Sequence, residues 1–173
     1  VQFVGVAGTA GKTAAAGLLA AILREAAFHV GFYRAGCEPL SARIAIGGVS
    51  VDPVLLCQAA EALNAAKPLP REAAELAAAA RCFGAAGCKL AVVELPDAGL
   101  ASALPNMPVC AVTAIGPDGV SRSVERLAAL AAGVMRKDAV CVTAPEQPKA
   151  VLSELVVAAA KACLLYTSPS PRD

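Results

Sequence analysis

One short segment constrains this chain more than any other. Gly8-Thr9-Ala10-Gly11-Lys12-Thr13 lies between an apolar run at residues 1–6 and good helix formers at 13–27. Glycines let the backbone curl so that successive N–H groups face an anion, and a helix N-terminus adds partial positive charge. In such a loop Lys12 reaches the β- and γ-phosphates of ATP, and the Thr13 hydroxyl can ligate Mg²⁺. The loop residues are then Gly8, Thr9, Ala10, Gly11, Lys12 and Thr13, with Lys12 as the catalytic cation. The general template G-x-x-x-x-G-K-[ST] is only partly met, because Val6 stands five before Gly11. The competing reading is a Gly-Lys-Thr in an ordinary glycine turn.

The rest of the chain supplies the setting. Residues 29–33 read as a second strand, and 44–51 as a strand or hairpin turning at Gly47-Gly48. Residues 53–66 read as a helix with Asp52 as N-cap and Pro53 at its first position. A second helix spans 71–86 and ends at Gly87. Residues 90–95, 109–115 and 139–143 are continuous apolar runs, as strands buried on both faces should be. Helices are expected over about 121–135 and 147–163. Strands alternating with helices predict an α/β fold with a mostly parallel sheet. Glu94 closes the run Leu90-Ala91-Val92-Val93-Glu94, where a carboxylate is costly without a cation or donors. It is the expected second metal ligand, unless it simply emerges into solvent.

Composition excludes several classes. Of 173 residues, 57% are hydrophobic and 17% charged, which rules out a disordered tail. A formal net charge of +1 lacks the basic footprint of a nucleic-acid binder. The longest uncharged stretch, residues 98–117, carries Pro105, Pro108 and Pro117, so no membrane span is expected. Seven cysteines include no C-x-x-C pair, and His29 is the only histidine, so neither a zinc site nor a disulfide framework is expected. Cys110 and Cys141 read as small buried hydrophobes. The cytoplasm is the expected compartment.

Several segments in order resemble one family. Val6-Ala7-Gly8-Thr9-Ala10-Gly11-Lys12 is similar to the V-A-G-T-N-G-K motif of folylpolyglutamate synthase, in the Mur ligase superfamily. Residues 20–26 and Val30-Gly31-Phe32-Tyr33 resemble its first helix and next strand. Arg43-Ile44-Ala45-Ile46-Gly47-Gly48 matches its R-I-x-I-x-G hairpin. Cys88-Lys89-Leu90-Ala91-Val92-Val93-Glu94 matches its metal-glutamate strand. Val112-Thr113-Ala114-Ile115-Gly116-Pro117-Asp118 resembles V-T-S-I-G-x-D, and Thr143-Ala144-Pro145-Glu146-Gln147-Pro148 a later T-A-P-Q-x-P segment. The resemblance implies a three-layer α/β/α, P-loop NTPase-like domain. It implies a ligase that uses ATP to turn a folate carboxylate into an acyl phosphate, which the amine of glutamate attacks. Lys12 would stabilise the γ-phosphate, while Thr13 and Glu94 would hold Mg²⁺.

The chain departs from the family around this chemistry. Gly119 stands where a metal-binding histidine belongs, and Leu130-Ala131-Ala132-Gly133 aligns with E-K-A-G, whose lysine carries a carbamate for a second metal. Asp97 and Asp118 remain possible carboxylate ligands, though both are ordinary turn residues. His29 is expected to be structural. The alternative is therefore a diverged homologue that binds nucleotide with weak or no ligase activity. Residues 1–163 are expected to form the central ATPase domain, incomplete at its N-terminus and lacking the family's C-terminal ligase domain. Residues 164–173 break from the preceding composition. They are expected to be a non-domain tail resembling adapter read-through, or else a Pro/Ser linker.

Overall fold

In the computed structural model, which describes residues 1–64, 69–117, 123–162 and 165–167, the first apolar run is strand β1 (Gln2–Ala7) and the helix formers after the glycines are α1 (Lys12–Glu25). Then follow β2 (Val30–Tyr33), a single helical turn α2 (Leu40–Arg43), and the hairpin β3 (Ile44–Ile46) and β4 (Val49–Ser50). Gly47 and Gly48 make the hairpin turn with φ of 61° and 88°, the left-handed pair a tight antiparallel turn requires.

Helix α3 (Pro53–Asn64) is capped as expected: Asp52 Oδ1 accepts from the Val54 amide at 2.7 Å. Next come α4 (Arg71–Ala85), β5 (Leu90–Glu94), a 3-10 segment (Ala98–Ala103) and β6 (Val109–Val112). The chain continues through α5 (Val124–Ala131), β7 (Val140–Thr143), α6 (Lys149–Ala162) and β8 (Leu165–Thr167).

Eight strands are ordered β4-β3-β2-β5-β1-β6-β7-β8, so β1 lies between β5 and β6. Along the order from β2 to β8 every pairing is parallel, and the two pairings of β3, with β2 and with β4, are antiparallel. Alternation along the strands divides the core. Val6, Val30 and Val92 face α1, where Ala16 is fully buried. Small side chains let that helix sit close to the sheet. Phe3, Val93 and Val112 point the other way, against Leu76 and Phe83 of α4, Leu127 of α5 and Leu155 of α6. Each such large apolar side chain contributes about 1.5–3 kcal/mol by leaving water. The result is the three-layer α/β/α architecture with a mostly parallel sheet. Among the described residues no helix is long and apolar enough to cross a membrane.

Several expected boundaries move. The helix expected over 121–135 is α-helical only to Ala131 and tightens to 3-10 form at Ala132–Val134. The run at 109–115 is a strand only to Val112, although the Thr113 amide still donates to Ala7 O of β1. The last helix begins at Lys149, so Gln147 precedes it. Within the segment set apart by composition, Leu165–Thr167 extends the sheet as a parallel neighbour of β7. Cys110 and Cys141 are register partners on β6 and β7 and are fully buried, as small hydrophobes would be.

Candidate nucleotide site

The site forms where the carboxyl ends of β5, β1 and β6 emerge side by side. Val6 of β1 is in register with Glu94 of β5, and Ala7 with Val112 of β6. Because strand side chains alternate, Glu94 shares the face of Val92, the face that α1 covers. On α1, Thr13, Ala16 and Ala20 recur at helical spacing along the inward stripe. The consequence is a contact across 81 residues of sequence: Thr13 Oγ1 donates to Glu94 Oε1 at 2.9 Å. Glu94 is 4% exposed, and its Oε2 is buried without a hydrogen-bond partner. A buried, unpartnered carboxylate oxygen beside a helix N-terminus suits a hard cation.

Gly8 has φ 131°, and a Cβ there would overlap Thr113 Oγ1 and lie 3.1 Å from Thr113 N and O. Only glycine can pass so near β6. Thr113 secures the approach from its side, donating its amide to Ala7 O at 2.8 Å and its hydroxyl to the same oxygen at 3.1 Å. Within the loop, Lys12 Nζ donates to Gly8 O at 3.0 Å. The amides of Thr9 and Ala10 both donate to Ala114 O at 3.1 Å. The donors facing an anion are therefore the first-turn amides of α1, which have no intrahelical acceptors, and Lys12.

The segment after β6 is fixed in turn. Thr9 Oγ1 donates to Ala114 O at 3.2 Å and accepts from the Gly116 amide at 2.8 Å. Gln147 clamps the other side, accepting from the Ile115 amide at 3.1 Å and donating to Thr113 O at 2.8 Å. Sequence reasoning matched the segment around Gln147 but missed this role. A polar side chain between Glu146 and Pro148 gives no sign of burial, yet Gln147 is 7% exposed.

In front of the loop lies an open cleft of about 440 Å³, whose walls include Lys12, Asp97, Arg126, Leu130 and Ala131. Asp97 caps the 3-10 segment by accepting from the Gly99 amide at 2.8 Å. Leu130 and Ala131, which the family resemblance aligns with glutamate and lysine, present apolar groups to this cleft. Arg126 was not singled out from the sequence. The signal that could have found it is a cation in the first turn of a helix, where the dipole disfavours it. Among the described residues no group of three or more His, Cys, Asp or Glu could hold a metal. A cation at Glu94 and Thr13 would depend on phosphate and water oxygens for its other ligands, as Mg²⁺ commonly does. His29 lies away from the cleft, its Nε2 3.2 Å from Ala86 O. Asp118 and Gly119 lie outside the described residues.

A second polar cluster braces the segment after β2. Arg43 is 2% exposed and its guanidinium meets Glu75 Oε2 at 2.8 Å, while Arg71 meets Glu75 Oε1 at 2.9 Å. Arg43 also donates to Glu38 O at 2.9 Å and to the Tyr33 hydroxyl at 3.3 Å. Burial raises the Tyr33 phenol above its ordinary pKa, against the opposing effect of Arg43. These contacts join α2 and α4 to the end of β2.

No family model matches the sequence, and no curated protein matches it. Solved structures do. A Mycobacterium tuberculosis folylpolyglutamate synthase complexed with ADP and AMPPCP superposes with TM-score 0.82 at 22% identity over 96% of this chain and 42% of its own. The Yersinia pestis bifunctional folylpolyglutamate synthase/dihydrofolate synthase gives TM-score 0.84 at 22% identity, over 96% of this chain and 43% of its own. An E. coli FolC in complex with DHPP and ADP gives 0.82 at 21% identity, over 95% and 42%. The fold is thus that of these proteins, and the chain spans less than half the length of each.

Proposed function

We propose that this chain is the nucleotide-binding domain of an ATP-dependent amide ligase of folylpolyglutamate synthase type. The observation that carries the reading is the Thr13–Glu94 contact at the end of a phosphate-type loop, with Glu94 Oε2 buried and unpartnered. Fold likeness to nucleotide-bound folylpolyglutamate synthases supports it. In this reading the α1 amides and Lys12 bind the nucleotide phosphates, and Thr13 and Glu94 hold Mg²⁺. The metal supplies charge neutralisation on the β- and γ-phosphates. Phosphoryl transfer depends mainly on such positioning and neutralisation. Lys12, tied to Gly8 O without ligand, would transfer its hydrogen bond to the γ-phosphate. The acceptor is a folate-type carboxylate and the incoming amine that of glutamate. A further C-terminal domain would complete the binding of both.

A second reading has one observation in its favour: Ala131 offers a methyl group to the cleft where a modified lysine would support a second metal. On that reading the protein binds nucleotide and ligates poorly or not at all. The test is to supply the full-length gene product with Mg-ATP, a folate and glutamate, and to measure ADP release. Release that requires both the folate and glutamate supports the ligase. Nucleotide binding without substrate-dependent turnover sinks it and leaves the second reading.

A further inference from the structure

Arg126 is the third residue of α5, following the Ser123 cap whose hydroxyl accepts from the Arg126 amide at 3.3 Å. It is exposed and lines the same cleft as Gly8, Thr9 and Lys12. Two things set it apart. The first turn of a helix is where a cation is least favoured by the helix dipole. Among the described residues, the ion pairs are Arg24–Glu25, Arg34–Glu38, Arg43–Glu75 and Arg71–Glu75, and Arg126 belongs to none. A guanidinium set against the dipole, in none of the ion pairs among the described residues, and lining the cleft beside the loop is suited to an oxyanion that arrives with a ligand.

We propose that Arg126 contacts the γ-phosphoryl oxygens of the nucleotide bound at Gly8–Thr13 and acts as the second cation, beside Lys12, on the group being transferred. This rests on the nucleotide-binding reading above. The cleft is lined by Gly8, Thr9 and Lys12 from the loop and by Arg126, Leu130 and Ala131 from α5. In the transfer, an acceptor carboxylate oxygen bonds to γ-phosphorus. The bond from γ-phosphorus to the β,γ-bridging oxygen breaks, and its electron pair leaves with ADP, without a proton changing place. Charge building on the equatorial and leaving oxygens is what an arginine in cis neutralises. Arg126 therefore occupies a role that the apolar Leu130 and Ala131 cannot fill.

The test compares ADP with AMPPCP, which adds a γ-phosphonate through a β,γ-methylene bridge, in calorimetric titrations of the full-length protein. Arg126→Ala is expected to weaken AMPPCP about tenfold or more while ADP changes less than about twofold, and Arg126→Lys to recover part of the loss. Since Arg126 is exposed, thermal melts should leave both variants folded. Arg126→Met serves as a third variant that keeps the side-chain stem. An AMPPCP-to-ADP ratio unchanged in all three, or equal loss for both nucleotides, overturns the proposal while leaving the loop reading in place. Failure of the unaltered protein to bind either nucleotide overturns both.

Discussion

Thr13 and Glu94 meet at 2.9 Å although 81 residues separate them, and the contact uses only one of the two carboxylate oxygens. The other, Oε2, is buried with no partner. A folded protein rarely leaves such an atom bare unless a ligand completes it.

Replacing Glu94 by Gln keeps an acceptor for Thr13 and removes the charge. Metal-free Glu94→Gln protein should be more stable than the parent by about 1 kcal/mol, since a poorly solvated carboxylate is lost. The enhancement of nucleotide affinity by Mg²⁺ over EDTA should fall from about tenfold or more to near unity. Denaturant melts and nucleotide titrations check the two halves independently. Undiminished Mg²⁺ enhancement in the variant would remove Glu94 from the metal site.

The loop's approach to β6 admits no side chain at position 8. Gly8→Ala should destabilise the protein by about 1–3 kcal/mol through its left-handed φ, and should weaken nucleotide binding more than about tenfold. Gly84→Ala is the control. That residue sits in α4, where a Cβ would meet nothing within 4 Å. The control should be neutral or stabilising by up to about 1 kcal/mol. Equal melting behaviour of the two variants would contradict the steric account of Gly8.

Acid should weaken the brace behind β2. Burial alone would raise the Glu75 pKa, but hydrogen bonds and charge from Arg43 and Arg71 outweigh it and hold the group below its ordinary 4.5. The folded state therefore holds its proton less tightly than the unfolded chain does. Stability from this carboxylate is fully present above pH 4.5 and is lost as pH falls through the lower folded value. At pH 7 Glu75→Ala should cost about 3–5 kcal/mol, because Arg43 stays buried without its partner. The gap between variant and parent in guanidinium melts should narrow below pH 4.5. A gap independent of pH would refute the linkage.

Much of this was legible in advance, and for physical reasons. A strand buried on both faces leaves an unbroken apolar run, so β5 and β7 could be read to within a residue or so. Glycine-bearing turns between such runs and helices announce themselves equally well, which is why the loop at Gly8–Thr13 and the Gly47-Gly48 turn were visible. Glu94 could be singled out because a charge inside such a run is conspicuous. What stayed hidden depends on contacts between distant segments. Nothing near Gln147 in the chain reveals that Thr113 and Ile115 need its amide. Nor does Arg43, in a single helical turn of four residues, disclose that Glu75 will arrive from another helix. Arg126 belongs to the same class, since only the cleft shows which way its helix faces.

Strand β1 sits innermost in the sheet, with β5 and β6 hydrogen-bonded along its two sides. Its amides can open to solvent only when the sheet as a whole comes apart, whereas the β3–β4 hairpin can fray alone. The strand that anchors the loop is therefore as durable as the domain itself. A destabilising substitution far from it changes how many molecules have a site, and not how well any one of them is built.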